Sequence, residues 1–178
     1  MESRGPDSAG FAIYNKNKNK IYKYSICLNE VSFEKFRKEI KKKIIFTKLD
    51  KNSDHVILKS TEKPSKIIPV LEGFKGISLV GYGKSIEIFK QVGKPSNVVK
   101  KFDLNKFSGS HAIGHTRMAT ESAITTDGSH PYSTGEDECL VHNGSLSNHN
   151  NLRRKLKKNG SKFNSDNDTE VAAGYISD

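Results

Sequence analysis

The apolar residues of this chain occur in short runs of strand length and in helical patterns, with polar or glycine-containing turns between them. No run approaches the roughly 18 apolar residues that a membrane span requires. This pattern predicts a globular fold that mixes strands and helices and has no membrane span. A chain of 178 residues can form one domain with a substantial core but not two ordinary domains, so we assign residues 1–178 to one domain.

The first 75 residues contain two strand patterns and one helix pattern. Residues 10–14 and 20–26 are rich in β-branched and aromatic residues and are separated by a polar segment of hairpin length, which predicts a β-hairpin. Ser32 is expected to cap a helix, because apolar residues follow it at helical spacing as far as Ile44. Residues 48–75 mix polar turns with short apolar runs, and the sequence predicts no architecture for them.

The rest of the chain alternates between strand and helix patterns. Strands are predicted over residues 77–80, 86–89, 111–119 and 139–142, and helices over residues 95–102 and 148–158 and from Asp168 onward. The sequence stops while the last helix pattern still presents apolar residues that need a partner. We therefore expect a domain truncated at both ends.

The charge of the chain is basic but dispersed. The formal net charge is +10, and 25 of the 30 basic residues are lysines scattered along the sequence. Scattered lysines do not form the clustered face that binds phosphates, so we expect no nucleic-acid partner. The sequence begins without a secretory signal pattern, and its two cysteines, Cys27 and Cys139, lack metal-ligand spacing. These features predict a cytoplasmic protein with reduced thiols.

Four separated segments carry motifs. They are Arg-Gly-Pro-Asp-Ser-Ala-Gly at residues 4–10, Gly-His-Thr-Arg-Met-Ala-Thr at residues 114–120, Val-His-Asn-Gly at residues 141–144 and Asn-Asp-Thr-Glu-Val at residues 167–171. Each is weak alone, but together and in this order they resemble the class II glutamine amidotransferases. The resemblance extends over almost the whole chain, apart from the motif-free residues 28–75.

The resemblance implies a fold and a chemistry. Members of that family are α+β proteins, four-layer α/β/β/α sandwiches of two antiparallel sheets. As N-terminal-nucleophile (Ntn) hydrolases they use a cysteine exposed at the mature N-terminus, and its free α-amine activates the thiol. That cysteine is absent from this sequence and is expected upstream of Met1, so the 178 residues as given are expected to lack glutaminase activity. No cofactor is implied.

The motifs also imply roles for individual residues. Glutamine presents a carboxylate, an ammonium and an amide, so a selective pocket needs a guanidinium, a carboxylate and oxyanion donors. By motif position, the resemblance assigns Arg117 to the substrate carboxylate and Asp168 to the substrate ammonium. Asn143 and the backbone N–H of Gly144 are assigned to the oxyanion hole, and Thr120 to a supporting substrate contact.

Arg4 and Asp7 are expected to support this site by shaping the turn beside the nucleophile strand. Each assignment has a structural alternative when the motif is taken alone. Arg117 would then be a surface salt-bridge partner, Asp168 a helix cap, and residues 143–144 a hairpin turn. The joint order of the motifs favours the functional interpretation.

Two other chemistries find less support. His111 and His115 stand four apart, as zinc ligands on a helix do, but their segment has a strand pattern, where such positions lie roughly 13 Å apart. We expect no metal site. Neither Cys27 nor Cys139 is at a chain terminus, and a thiol in an apolar strand is normally inert, so neither is expected to be the nucleophile.

Residues 83–95, 118–122 and 129–133 are most similar to stand-alone amidotransferase subunits of the glutamate-synthase group, including N-methylglutamate synthase. In that group the subunit hydrolyses L-glutamine and passes the ammonia to a separate synthase subunit. Met118 and Glu121 stand where sugar-aminating relatives carry Trp and His, which argues against a sugar acceptor. The alternative function is a non-catalytic glutamine-binding or docking module that has lost its nucleophile.

Overall fold

The computed structural model describes residues 3–15, 21–119 and 123–177, which form a mixed α+β fold with antiparallel sheets. The strands are β1 Ser8–Tyr14, β2 Tyr22–Leu28, β3 Lys48–Asn52, β4 His55–Ser60, β5 Ile77–Gly83, β6 Ile86–Val92, β7 His111–Arg117, β8 Tyr132–Gly135 and β9 Glu138–Leu140. The helices are α1 Phe33–Ile40, α2 Pro64–Glu72, α3 Pro95–Phe102, α4 His149–Lys158 and α5 Asp168–Ser177, with a short 3-10 helix at Leu104–Lys106.

The strands form three sheets in which the neighbouring strands are antiparallel. A three-stranded sheet has the order β6-β1-β7, and a four-stranded sheet has the order β3-β4-β2-β5. Strands β8 and β9 form a separate two-stranded sheet. Two pairs of consecutive strands, β1 with β2 and β5 with β6, are divided between the two larger sheets, so the chain crosses between them twice by short connections.

The β-hairpin predicted for residues 10–14 and 20–26 is wrong. Both segments contain strands, but β1 is the central strand of the three-stranded sheet and β2 is an interior strand of the four-stranded sheet. Every residue of β1 is buried, and so is every residue of β2 except Tyr22. A two-stranded ribbon would leave both faces of such strands in water, so burial between layers overrides local pairing. Residues 16–20 lie outside the described part of the chain.

Apolar side chains fill the space between the two larger sheets. Ala12 of β1, Cys27 of β2 and Val80 of β5 belong to one buried cluster with Ile86 and Ile88 of β6. Since these residues come from strands of both sheets, the cluster holds the sheets together through the burial of apolar surface.

Helices pack against both of the larger sheets. Helices α1 and α2 pack on the four-stranded sheet through Phe36, Ile40, Ile67 and Leu71, and helix α3 packs on β1 and β6 with Phe102 fully buried. Within the described ranges, no helix combines the length and the apolar content needed to cross a bilayer.

The helix predictions are confirmed where sequence patterns are strong. The Ser32 side chain accepts a hydrogen bond from the Lys35 backbone N–H at 3.3 Å, as a helix cap does. Helix α1 ends at Ile40, and Ile44 packs on the same core from beyond the helix. Helices α3 and α5 begin at the predicted residues, and α4 begins one residue later than predicted. Residues 48–75 form β3, β4 and α2.

Two glycines of the first motif allow the backbone to approach neighbouring segments closely. A Cβ atom on Gly10 would lie 2.2 Å from the carbonyl oxygen of His130, and one on Gly5 would lie 2.6 Å from the Thr116 carbonyl carbon. Real Cβ contacts are never so short, so both positions require glycine. The first motif is thereby packed against β7 and against the segment that leads into β8.

Candidate active site

The predicted site residues come together at one cavity. A cavity of about 630 Å³ lies where the end of β7 and the turn before β1 meet the segments before α4 and α5. Five of the seven predicted residues line it, namely Arg4, Arg117, Asn143, Gly144 and Asp168. Asp7 does not line it, and Thr120 lies outside the described residues.

Arg117 is positioned by the end of β7. It pairs with Ser8 of β1, and only 7% of its surface is exposed. Its Nη1 donates a hydrogen bond of 3.4 Å to the Ala123 carbonyl oxygen. Arg117 is buried beside a polar cavity and is therefore not a surface salt-bridge partner, and its planar guanidinium has the shape that suits an anion.

Asp7 holds the chain where it leaves β7. Its Oδ2 accepts a hydrogen bond from the Ala119 N–H at 2.8 Å, and its own N–H donates to the Arg117 carbonyl oxygen at 3.1 Å. These bonds orient the backbone on both sides of Met118, which is consistent with a supporting role. Arg4 is exposed at the cavity and belongs to the same turn.

Asn143 and Gly144 lie in an exposed, irregular segment between β9 and α4. The strand predicted over residues 139–142 is therefore too long, because β9 ends at Leu140. Its partner β8 has only four residues and begins at Tyr132, which pairs with Leu140. The pairing therefore ends at Leu140, and His142 beyond it lines the cavity. A Cβ atom on Gly144 would lie 2.8 Å from His142 Nε2, so a side chain at this position would crowd the imidazole.

Asp168 opens helix α5 but does not cap it. The Asn167 side-chain oxygen accepts the Thr169 N–H at 2.8 Å, whereas Asp168 Oδ2 accepts the Leu146 N–H at 2.7 Å. Asp168 Oδ1 also accepts from the Thr169 hydroxyl at 3.3 Å. Because Asn167 makes the cap-type bond, the Asp168 carboxylate is directed to the segment that carries Asn143.

Four histidines line the same cavity and are not among the predicted site residues: His115, His130, His142 and His149. The rings of His115 and His130 are 4.2 Å apart between centroids. His111, on the same strand as His115, instead stacks on Tyr14 with 4.3 Å between centroids. The His-Pro-Tyr sequence at residues 130–132 is visible in the sequence, but its burial against β7 is a tertiary property.

Burial makes two of these imidazoles poor bases. Burial is the main cause that lowers the pKa of His130 to about 3, and the nearby His115, Lys90 and Arg117 lower it further. Burial also lowers the pKa of His115, against an opposing hydrogen bond to the backbone of His142. Both rings are therefore neutral near pH 7.

Neither cysteine lines the cavity. Burial raises the pKa of the Cys27 thiol to about 12, and burial also raises the pKa of Cys139. Cys27, Asp54 and His55 bring possible metal-ligand atoms within 4.8 Å of one another. However, Asp54 Oδ2 already binds the Lys101 ammonium at 2.7 Å, so this cluster has a cation of its own.

The cavity thus combines groups that suit a small zwitterion with an uncharged polar tail. A guanidinium matches a carboxylate, and a carboxylate matches an ammonium. Neutral imidazoles and the exposed segment at Asn143 offer further hydrogen-bonding groups for an uncharged part of the ligand.

Comparison with known proteins finds similar sequences that are described as glutamine amidotransferases. Residues 104–177 match the glutamine amidotransferase domain family. The chain is 46% identical over 180 residues to the glutamine amidotransferase-like protein GlxB of Rhizobium meliloti, and this match covers 99% of the chain and 60% of that protein. It is 29% identical over 194 residues to a putative glutamine amidotransferase of Methanothermobacter thermautotrophicus, covering all of the chain and 63% of that relative.

A third relative matches only part of the chain. The glutamine–fructose-6-phosphate aminotransferase of Wigglesworthia glossinidia brevipalpis is 42% identical over 104 residues, which are 57% of the chain and 17% of that enzyme. The chain spans about three fifths of the length of the first two relatives. The ordered motifs, their convergence on one cavity and these similarities agree with one another. Residues 104–177 match a glutamine amidotransferase domain, and the chain is similar along its length to GlxB, in agreement with the class II domain that the motifs predict.

Proposed function

We propose that this chain is the main part of a glutaminase domain that hydrolyses L-glutamine to glutamate and ammonia. The observation that carries the proposal is the convergence of Arg117, Asp168 and residues 143–144 from three distant segments on one cavity. A single motif could have a structural cause, but three sets of complementary groups at one cavity match the charges and the amide of glutamine.

The groups have separate roles in the proposal. Arg117 binds the substrate α-carboxylate through its planar guanidinium, and Asp168 binds the substrate ammonium. Asn143 and the Gly144 N–H stabilise the negative charge that develops on the amide oxygen. Thr120 is a further substrate contact, while Arg4 and Asp7 support the arrangement from the first motif.

The nucleophile in this proposal is the thiolate of an N-terminal cysteine that precedes the first motif. The thiolate attacks the carboxamide carbon, and the tetrahedral intermediate collapses with release of ammonia. Water then hydrolyses the γ-glutamyl thioester to glutamate and the free thiol. Cys27 and Cys139 do not compete for this role, because both lie away from the cavity with raised pKa values.

The remaining features follow from the same assignment. The proposed fold of the complete domain is the four-layer α/β/β/α sandwich of the Ntn hydrolases. The proposed partner is a glutamate-synthase-like subunit in the cytoplasm that receives the ammonia. The catalytic groups need neither a metal nor an organic cofactor, because a thiolate and hydrogen-bond donors are sufficient for amide hydrolysis.

A second candidate is a glutamine-binding or docking module without catalysis. It is favoured by one observation: the described residues place binding groups at the cavity but no thiol. The two candidates share the pocket and differ in the nucleophile, so they can be separated by one set of measurements.

The test uses the full-length protein purified from its source. Mass spectrometry of its N-terminal peptide, a glutamate-release assay and glutamine calorimetry would be run on the same preparation. A mature N-terminal cysteine with glutamate release supports the glutaminase. Glutamine binding without that cysteine and without release supports the binding module. Absence of glutamine binding would contradict both candidates.

A further inference from the structure

The side chain of Arg153 on helix α4 holds the backbone that leads into helix α5. Its Nη1 donates a hydrogen bond of 2.6 Å to the Ser165 carbonyl oxygen, and its Nη2 donates one of 3.0 Å to the Asn167 carbonyl oxygen. The Asn167 carbonyl belongs to the peptide unit that joins Asn167 to Asp168. The guanidinium is therefore bonded to the peptide unit that immediately precedes Asp168.

Arg153 itself does not line the cavity, whereas Asp168 does. The Arg153 guanidinium also lies over the Phe163 ring, 5.0 Å from its centroid. Two hydrogen bonds and one ring contact thus connect this side chain to the segment between α4 and α5. Because Arg153 is outside the cavity, any effect it has on a ligand must pass through that segment.

The same segment is fixed to α5 by a second set of bonds. The Glu170 carboxylate accepts the backbone N–H groups of Asn164 and Ser165, both at 2.8 Å, and the Ser165 hydroxyl at 2.7 Å. The Asn167 side chain accepts the Thr169 N–H, also at 2.8 Å. These bonds fix the segment relative to α5, and the guanidinium fixes it relative to α4.

The location of the Asp168 carboxylate depends on this backbone. An aspartate has a short side chain with only two torsions, so its carboxylate moves with the backbone that carries it. In the structure Asp168 Oδ2 accepts the Leu146 N–H at 2.7 Å, on the segment between β9 and α4. A binding group displaced by a fraction of an ångström loses much of its contact with a ligand, so the support of Asp168 affects recognition.

The two carbonyl acceptors require an arginine at position 153. A guanidinium is planar and presents several N–H donors in a fixed arrangement, whereas a lysine ammonium is a compact charge that cannot reproduce it. Hydrogen bonds from a charged donor are also stronger than neutral ones. The next residue, Arg154, is exposed and donates to the Asn151 side chain of the same helix. Arg154 is therefore a matched control.

We propose that Arg153 is a positioning residue that holds the Asp168 carboxylate where it binds the α-ammonium of the substrate. This inference rests on the proposed function, because the ammonium-binding role of Asp168 is part of it. It follows that loss of Arg153 should impair recognition of the ammonium and spare recognition of the carboxylate and the amide.

The test compares two ligands in the full-length protein and three variants. The ligands are glutamine and glutaramate, which is glutamine without its α-ammonium. Affinities are Kd values from calorimetry, or KM and competitive inhibition constants where turnover occurs. Arg153→Met removes the N–H donors and keeps an unbranched stem beside Phe163, Arg153→Lys keeps the charge, and Arg154→Met is the control. Thermal unfolding checks that each variant folds.

The expected result is a loss that depends on the ligand's ammonium. Arg153→Met should weaken glutamine binding about tenfold and leave glutaramate binding within about twofold, because only glutamine has the group that Asp168 binds. Arg153→Lys should weaken glutamine binding about threefold, since an ammonium cannot bond both carbonyls as the guanidinium does. Arg154→Met should change neither affinity.

The backbone amide of Leu146 provides a second measurement that needs no ligand. Its N–H donates to Asp168 Oδ2, so a displaced carboxylate should shift the ¹H and ¹⁵N resonances of this amide. Arg153→Met should shift them, and Arg154→Met should not. A general loss of stability in a protein that remains folded would not select this amide.

Several outcomes would overturn the inference. Equal weakening of both ligands in Arg153→Met would mean that Arg153 supports the whole cavity and not Asp168 in particular. Unchanged glutamine affinity, or an unshifted Leu146 amide, would also reject it. If Arg153→Met does not fold, Arg153→Lys decides: a loss confined to glutamine supports the inference, and wild-type affinities reject it. Absence of glutamine binding to the wild-type protein would contradict the proposed function, and the Leu146 amide would still show whether Arg153 positions the carboxylate.

Discussion

The four-stranded sheet with its helices buries apolar residues, whereas the cavity at the end of β7 is surrounded by buried polar residues. In the first region Tyr24, Phe36 and Leu58 are completely buried, and their neighbours are apolar. In the second region Arg117 and His130 are buried beside polar groups, and His130 lacks hydrogen-bond partners within the described structure.

This difference separates the source of stability from the location of function. Burying apolar surface contributes to folding in any solvent-exposed domain, whereas burying polar atoms without partners opposes it. The cavity therefore persists because the apolar region stabilises the fold around it. Changes in the two regions should have different effects, which gives four predictions, from the largest expected effect to the smallest.

The first prediction concerns the apolar region. Phe36→Ala should lower the free energy of unfolding by about 3–5 kcal/mol, because Phe36 is fully buried and packs edge-on against Phe74 at 5.4 Å between centroids. Urea unfolding followed by circular dichroism would measure this loss. The control is Ile45→Ala, since Ile45 is 74% exposed and its loss should stay within about 0.5 kcal/mol.

For Phe36→Ala, glutamine affinity of the folded fraction should remain at the wild-type value. A stability loss below about 1 kcal/mol would show that the core relaxes into the space. A large change in glutamine affinity without a loss of stability would contradict the proposal that stability and ligand binding depend on different regions.

The second prediction concerns the oxyanion hole. In the full-length enzyme, Asn143→Ala should lower kcat about 10²- to 10³-fold with little change in the KM for glutamine, because the donor acts mainly in the transition state. Steady-state glutamate release measures both constants. Asn150→Ala, an exposed asparagine on α4, is the matched control. Equal changes in kcat and KM would reject the assignment.

The third prediction concerns carboxylate recognition. Arg117→Lys should weaken glutamine binding about tenfold and change turnover at saturation less, because an ammonium cannot reproduce the planar guanidinium contact. Calorimetry or KM values would show it. Arg154→Lys on the exposed face of α4 should have no effect. Unchanged affinity in Arg117→Lys would mean that Arg117 does not bind the substrate.

The fourth prediction concerns acid stability. The pKa of His130 is about 3 in the folded protein, against about 6.5 in the unfolded chain, so below pH 6.5 the unfolded state binds a proton that the folded state excludes. The free energy of unfolding should fall by about 1–2 kcal/mol between pH 7 and pH 5 from this residue. Above about pH 8 His130 should no longer make the free energy of unfolding depend on pH, because both states are then deprotonated.

The fourth prediction is measured by urea unfolding at several pH values. His55 and His115 also have lowered pKa values, so the informative quantity is the difference between the wild type and His130→Gln. The variant should show a shallower decline with acid. If the free energy of unfolding falls equally steeply with acid in both proteins, His130 does not remain neutral in the folded state.

Local sequence was sufficient for several elements. The Ser32 cap with its apolar spacing predicts α1, and Pro95 predicts the first residue of α3. Residue order within the four motifs was also sufficient to select five residues that line the cavity. In these cases the information is short-range or resides in the order of the chemical groups along the chain.

Other features depended on contacts between distant segments. The pairing of β1 and β2 in different sheets, the early end of β9 and the helical state of residues 67–71 around Pro69 all run against local patterns. In each case packing between layers or the length of a partner strand outweighs local propensity.

The pair of His115 and His130 shows the same division within the site. The amino-acid order predicts which charged and amide groups could recognise glutamine, because motif order reflects chemistry. It cannot predict that His130 is buried against His115 with both ring nitrogens unpartnered, since burial depends on Gly10, Lys90 and Tyr132 packing around it. Hydrogen-bond satisfaction and pKa depend on that environment, and the environment exists only once the chain has folded.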